Sequence, residues 1–176
     1  MSWLARYFVA QDGLSDHVGR AISWLTLVMV GVLIWEICAR YFLNAPTIWA
    51  HELSTMLYGS FCILAGSYTL RHQGHVRSEV VYALFPPRIR ALCDVIVFGL
   101  TLLVLFVFLR MAWDFAATSW AAREFSSRST WQPPLYPFKT VVPVAVGLLM
   151  LQVLAEFLRA LLRLAGASED MLAPQD

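Results

Sequence analysis

The residues of this sequence that could do chemistry are four histidines, three cysteines and a few carboxylates near the ends of apolar segments. His72 and His75 have a spacing that occurs in metal sites, and Glu79 follows four residues after His75. Gly74 interrupts a helix there and the surrounding loop is basic, so the pattern favours an interfacial loop over a metal site. The cysteines lie in or beside apolar runs, where small buried thiols are common. They are Cys38, Cys62 and Cys93.

The other patterns of chemistry are missing from the sequence. All four histidines fall near the ends of apolar runs, whereas a haem held between helices needs histidines in the middle. The chain has no glycine-rich phosphate loop and no Ser–His–Asp or Cys–His arrangement with usable spacing. We therefore predict no catalytic residue, no cofactor and no metal ion.

The composition indicates an all-α integral membrane protein. Of 176 residues, 59% are hydrophobic and only 14% are charged, against about 25% charged in soluble domains. The net charge of +1 gives no basic field for a nucleic-acid partner. Residues 18–165 are predicted to form a single domain of four transmembrane helices, because four segments reach spanning length. These segments are about residues 21–42, 49–70, 91–113 and 136–162.

The two ends of the chain are predicted to lie outside the spans. Residues 1–17 place Trp3, Leu4, Tyr7 and Phe8 at helical spacing, which is typical of an amphipathic helix in the membrane interface, with a frayed tail as the alternative. Residues 166–176 are polar and are expected to be disordered. Arginines are more frequent in the segments on the terminal side, so we predict that both termini are cytoplasmic.

Charged residues flank the turn between the first two spans. Asn44 and Pro46 favour a break, and Thr47 is a candidate N-cap for the second helix. Arg40 is predicted to form a structural clamp at this turn with Glu36, four residues earlier, or with Glu52. A snorkelling pair without a partner role is the alternative.

Two further groups lie near the predicted membrane boundaries. Aromatic residues on the side of the first turn are predicted to anchor the helices at the interface, with docking of a partner as the alternative. These anchors are Trp49, Trp120, Trp131 and Tyr136. Arginines in and beside the loop after the second span are predicted to contact lipid headgroups and to fix the orientation. They are Arg71, Arg77, Arg88 and Arg90.

Several short stretches together resemble the small membrane subunit of tripartite ATP-independent periplasmic (TRAP) transporters. They are R-Y-F-L-N from Arg40, W-x-x-E-L from Trp49, A-x-x-Y-T-L-R-x-x-G-H-V-R from Ala65, W-A-A-R-E from Trp120 and K-T-V-V-P from Lys139. Their order, with four spans, covers roughly residues 18–165. His51 departs from the pattern, because many relatives have a second acid beside the position of Glu52.

The resemblance implies a bacterial inner-membrane scaffold rather than an enzyme. Its expected partners are a large membrane subunit, a periplasmic substrate-binding protein and membrane lipids. The large subunit would carry the sodium and substrate sites and would transport an organic anion. This chain would enlarge the part of the complex that stays fixed in the membrane during transport. The Asp, Glu and Arg residues of the spans lie toward the span ends, and a scaffold does not need such charges in the middle of the membrane. A membrane-anchor subunit of a redox complex and a membrane enzyme of lipid metabolism are the alternatives.

Overall fold

The computed structural model of the protein describes residues 3–71 and 85–165, and these residues are helical apart from short turns and one loop. The helices are α1 (Trp3–Tyr41), α2 (Ala50–Arg71), α3 (Pro87–Ala122), α4 (Tyr136–Lys139) and α5 (Val141–Leu164). The all-α prediction is confirmed for this part of the chain. The predicted tail, the His72–His75 pattern and Arg77 lie outside the described residues.

A seam between α3 and α5 forms the apolar core. Five buried residues of α3 recur every seven positions, as in helices that pack side by side at a shallow angle. They are Ala91, Phe98, Leu105, Ala112 and Ser119. On α5 the facing residues follow the same period, at Val146, Val153 and Ala160. Because the repeat is shared, the two helices stay in contact over most of their length.

Helix α1 packs against α2 and, through its first half, against α5. A Cβ on Gly19 would lie 2.2 Å from Cδ2 of the Tyr68 ring, so α2 approaches α1 closely only because position 19 has no side chain. With 39 residues, α1 is about 58 Å long. It continues without a break through residues 3–17, the described part of the predicted interfacial segment. The structure therefore does not show a separate N-terminal helix.

The helix boundaries have local causes. After α1 ends at Tyr41, Asn44 adopts φ 49°, a left-handed conformation that Asn tolerates better than most residues. The fourth predicted span is interrupted at Thr140, between α4 and α5. Pro143 has no N–H to donate to the carbonyl of Lys139, which explains why the helical hydrogen bonding fails there.

Three helical segments of the described chain are long and apolar enough to cross a membrane. They are Arg6–Tyr41, Arg88–Ala122 and Tyr136–Leu164. Helix α2 has 22 residues, and Ser, Thr, Gly and Tyr residues dilute its apolar character. Three of the four predicted spans are thus candidate membrane spans by length and composition, and a crossing by α2 remains a prediction.

Candidate functional site

The α1–α2 turn and the α3–α4 loop lie together at one end of the molecule, which we call the loop end. Glu36 organises the turn. Its Oε1 accepts hydrogen bonds from Arg40 Nε at 3.1 Å and Nη2 at 2.5 Å, and its Oε2 accepts from the Thr47 amide at 3.1 Å and from the Thr47 hydroxyl. The expected Glu36–Arg40 contact is present. Thr47 is not the N-cap of α2, which begins three residues later, because its hydroxyl is used by Glu36.

Glu52 does not join Arg40 in the structure. It is buried in the first turn of α2, and its Oε2 accepts a hydrogen bond from the hydroxyl of Ser129 in the α3–α4 loop. Of the two predicted partners of Arg40, only Glu36 lies beside it. The Glu36 contacts close the α1–α2 turn, whereas the Glu52 contact ties α2 to a loop that is 77 residues away in sequence. The role of these residues as a structural clamp remains a prediction.

The α3–α4 loop is a short hairpin held by backbone hydrogen bonds. The Ser126 amide donates to the Pro133 carbonyl, and the Leu135 amide donates to the Glu124 carbonyl, each at 2.9 Å. The Glu124 carboxylate accepts from Lys139 Nζ at 2.5 Å and from the Ser119 hydroxyl at 2.9 Å. The hydrogen bond from Lys139, reinforced by Ser119, lowers the pKa of Glu124 below its ordinary value. This carboxylate thus fixes the hairpin to the ends of α3 and α4.

The structure brings the four predicted aromatic anchors to the loop end. Trp120 and Tyr136 are in contact, with ring centroids 4.6 Å apart. Trp131 is exposed on the hairpin, and Trp49 is half-buried just before α2. Such placement suits rings at a fixed membrane depth, and their role as anchors remains a prediction.

Of the basic residues predicted to touch lipid, Arg71, Arg88 and Arg90 lie at the opposite end, which we call the terminal end. Arg71 ends α2, and Arg88 is exposed in the first turn of α3. Arg90 donates through Nε to the carbonyl of Phe85 at 2.7 Å. Contact of these arginines with headgroups stays a prediction.

A buried polar network at the terminal end was not predicted from sequence. Arg159 on α5 donates through Nη2 to Asp12 on α1 at 2.6 Å and through Nη1 to Glu156 at 2.5 Å. One heptad away, the Ser15 hydroxyl donates to Gln152 Oε1 at 2.8 Å. The signal available in sequence was the seven-residue spacing of Gln152 and Arg159 within an apolar helix, which marks one polar stripe. Only the fold shows that this stripe faces Asp12.

These polar contacts can hold the helices in register. Within residues 3–71 and 85–165, no group of three or more His, Cys, Asp or Glu residues is placed to hold a metal ion. The three cysteines are free, and Cys62 is exposed rather than buried as expected. The large apolar residues that face outward are concentrated on α1 and α3. So large an exposed apolar surface on a helical protein fits a membrane protein.

Comparison with known proteins gives the family. Residues 29–163 match the family model described as tripartite ATP-independent periplasmic transporters, DctQ component. The chain therefore belongs to the DctQ family and is a TRAP transporter permease component of the small-subunit type. The resemblance seen in the sequence is confirmed.

Two relatives carry names that concern sialic acid. The chain is 31% identical over 97 residues to the sialic acid TRAP transporter permease protein SiaT of Haemophilus influenzae, covering 53% of this chain and 16% of that protein. It is 27% identical over 66 residues to the sialic acid TRAP transporter small permease protein SiaQ of Vibrio cholerae, covering 38% of each. The matched regions are thus well under two thirds of either relative.

Proposed function

We propose that this chain is a stationary scaffold subunit, which supports a large permease subunit during sodium-coupled uptake of an organic anion. A periplasmic binding protein would deliver the anion, and the complex would lie in the bacterial inner membrane. The relatives named for sialic acid, a carboxylate, fit an anionic substrate class without fixing the substrate of this chain. The observation that carries the proposal is the family match over residues 29–163.

The distribution of charge supports a scaffold rather than a transport pathway. Between Asp94 and Arg110, α3 carries no formal charge, and the same holds for α2 between Glu52 and Arg71. Proteins that move ions or anions place ionisable groups or broken helices near the middle of the bilayer. The polar contacts described above lie toward the two ends of the molecule, where they brace helices against each other.

Co-purification and reconstituted uptake test the proposal. We expect a large TRAP permease subunit from the same organism to co-purify with this chain. Together with the binding protein, the pair is expected to take up substrate only with a sodium gradient. If the large subunit alone transported at the full rate, this chain would not be an essential scaffold. An uptake rate that did not depend on the sodium gradient would refute the proposed sodium coupling.

The proposed membrane arrangement has four crossings, with α2 as the second and both termini in the cytoplasm. A crossing by α2 is supported by its length of 22 residues, about 33 Å, and by its beginning at the loop end of the molecule and ending at the terminal end. A reporter fused after Ala173 is expected to score as cytoplasmic, and one inserted after Arg128 as periplasmic. The same location for both reporters would refute the arrangement.

A further inference from the structure

A groove at the loop end lies beside the seam of α3 and α5 and has a volume of about 810 Å³. Its lining includes the small or compact residues Ala116, Ala117 and Pro143 and the aromatic residues Trp113 and Trp120. Small residues on a helix surface allow another helix to come close in a membrane. The composition of the groove thus suits an apolar partner.

Two charged side chains, Arg110 and Asp114, also line the groove. Both residues are exposed on α3, and within residues 3–71 and 85–165 neither side chain forms an ion pair, although they are one helical turn apart. Charges beside an apolar span are costly and are normally paired. Arg159, in contrast, is bound to acidic residues of this same chain.

The groove lies at the boundary of the apolar part of α3. Asp94, near the start of this helix, precedes Arg110 by 16 residues, or about 24 Å of helix. From there toward the terminal end, one face of α3 continues as a stripe of exposed apolar residues with spacings of three and four. The stripe consists of Ile96, Leu100, Leu103 and Val107. A partner in the groove can therefore follow α3 across the hydrocarbon.

We propose that this stripe and the groove receive a membrane-spanning helix of the large permease subunit. That helix would carry an acidic residue opposite Arg110 and a basic or hydrogen-bonding residue opposite Asp114. A membrane helix fits better than a water-soluble partner, because the surface is continuous with the apolar stripe and most of its lining is apolar. The exposed face of α1 near Leu27 and Val28 carries no charge and is assigned to lipid. This assignment of surfaces rests on the function proposed above.

Photo-crosslinking in membranes tests the surface. A benzophenone amino acid at Ala117 or Leu103 is expected to crosslink the co-expressed large subunit, and the same group at Leu27 is expected to crosslink only lipid. Co-purification by the wild-type chain tests the proposed function separately. If the wild-type pair forms but crosslinks arise at Leu27 and not at Ala117, the scaffold function stands and this surface is wrong. Crosslinks to lipid alone at Ala117 and Leu103 would also overturn it.

Charge reversal tests the role of the two unpaired residues. Arg110→Glu is expected to weaken binding of the large subunit by about 30-fold or more, as for an interfacial charge left without a partner. Arg163→Glu, an exposed change at the terminal end, is the matched control and should leave binding unchanged. Unchanged thermal stability of the isolated chain shows that Arg110→Glu folds. A folded Arg110→Glu chain that binds like the wild type would refute the charged contact.

Discussion

Loss of the Arg159 guanidinium should be among the most damaging single changes in this fold. The side chains of Arg159 and Asp12 are only 5% and 7% exposed, and the ion pair joins them at 2.6 Å. Arg159→Met would keep a long apolar side chain but would leave Asp12 without its cationic partner and Glu156 without its neighbour. Removing one member of a buried pair costs about 3–5 kcal/mol. For a chain of this size, that corresponds to a fall in Tm of roughly 6–20 °C.

Thermal unfolding of the purified chain in detergent is the assay. Arg163→Met changes an exposed arginine one turn further along α5 and should alter the free energy of unfolding by no more than about 0.5 kcal/mol. The double variant Asp12→Leu with Arg159→Met removes both buried charges of the pair. Its loss of stability should be smaller than the sum of the losses in the two single variants, because the effects of substituting two residues in contact are not additive.

Two results would refute this reasoning. One is an Arg159→Met chain whose Tm falls no further than that of Arg163→Met. The other is strict additivity of the two single substitutions in the double variant. Either result would mean that α1 and α5 are not held together by this ion pair.

Three other predictions test the remaining contacts. Glu36→Ala should reduce the yield of the complex with the large subunit more than Arg40→Ala does. The reason is that Glu36 binds both ends of the α1–α2 turn, whereas the Arg40 side chain is 57% exposed. The hairpin should become more susceptible to proteolysis in acid, because the pKa of Glu124 is lowered by Lys139. Stabilisation by such a carboxylate is present above its ordinary pKa of 4.5 and is lost as the pH falls through the lowered value. Gly19→Val should lower Tm, since the new side chain collides with the ring of α2 that packs there.

Each of these tests has its own control. Equal complex yields for the two turn variants would show that Glu36 is not the central residue of the turn. Glu124→Gln should remove the acid dependence of proteolysis, and an unchanged pH profile in that variant would assign it to another group. Gly31→Val changes a helical glycine whose added Cβ would meet nothing within 4 Å. If it lowered Tm as much as Gly19→Val, close packing at position 19 would not be the cause.

Local signals in the sequence located the turn and several of the helix ends. Asn44 and Pro46 marked the turn because one tolerates a left-handed backbone and the other disfavours helix before it. The pair Glu36–Arg40 could be anticipated because residues four apart share a helix face. The full length of α1 could not be anticipated from the sequence, since its first turns contain Asp12 and Asp16 and do not look like part of a membrane span. The partner that neutralises Asp12 is 147 residues away.

The sequence by itself determined the class of protein, the break at Asn44 and the ion pair within the last turns of α1, because composition, backbone preference and helical spacing are local properties. Tertiary structure alone decided which distant groups meet. It placed Glu52 against Ser129 rather than Arg40, buried Arg159 beside Asp12, and left Arg110 beside an open groove. The physical reason is that a charge selects its partner by distance and burial, and both depend on how whole helices pack.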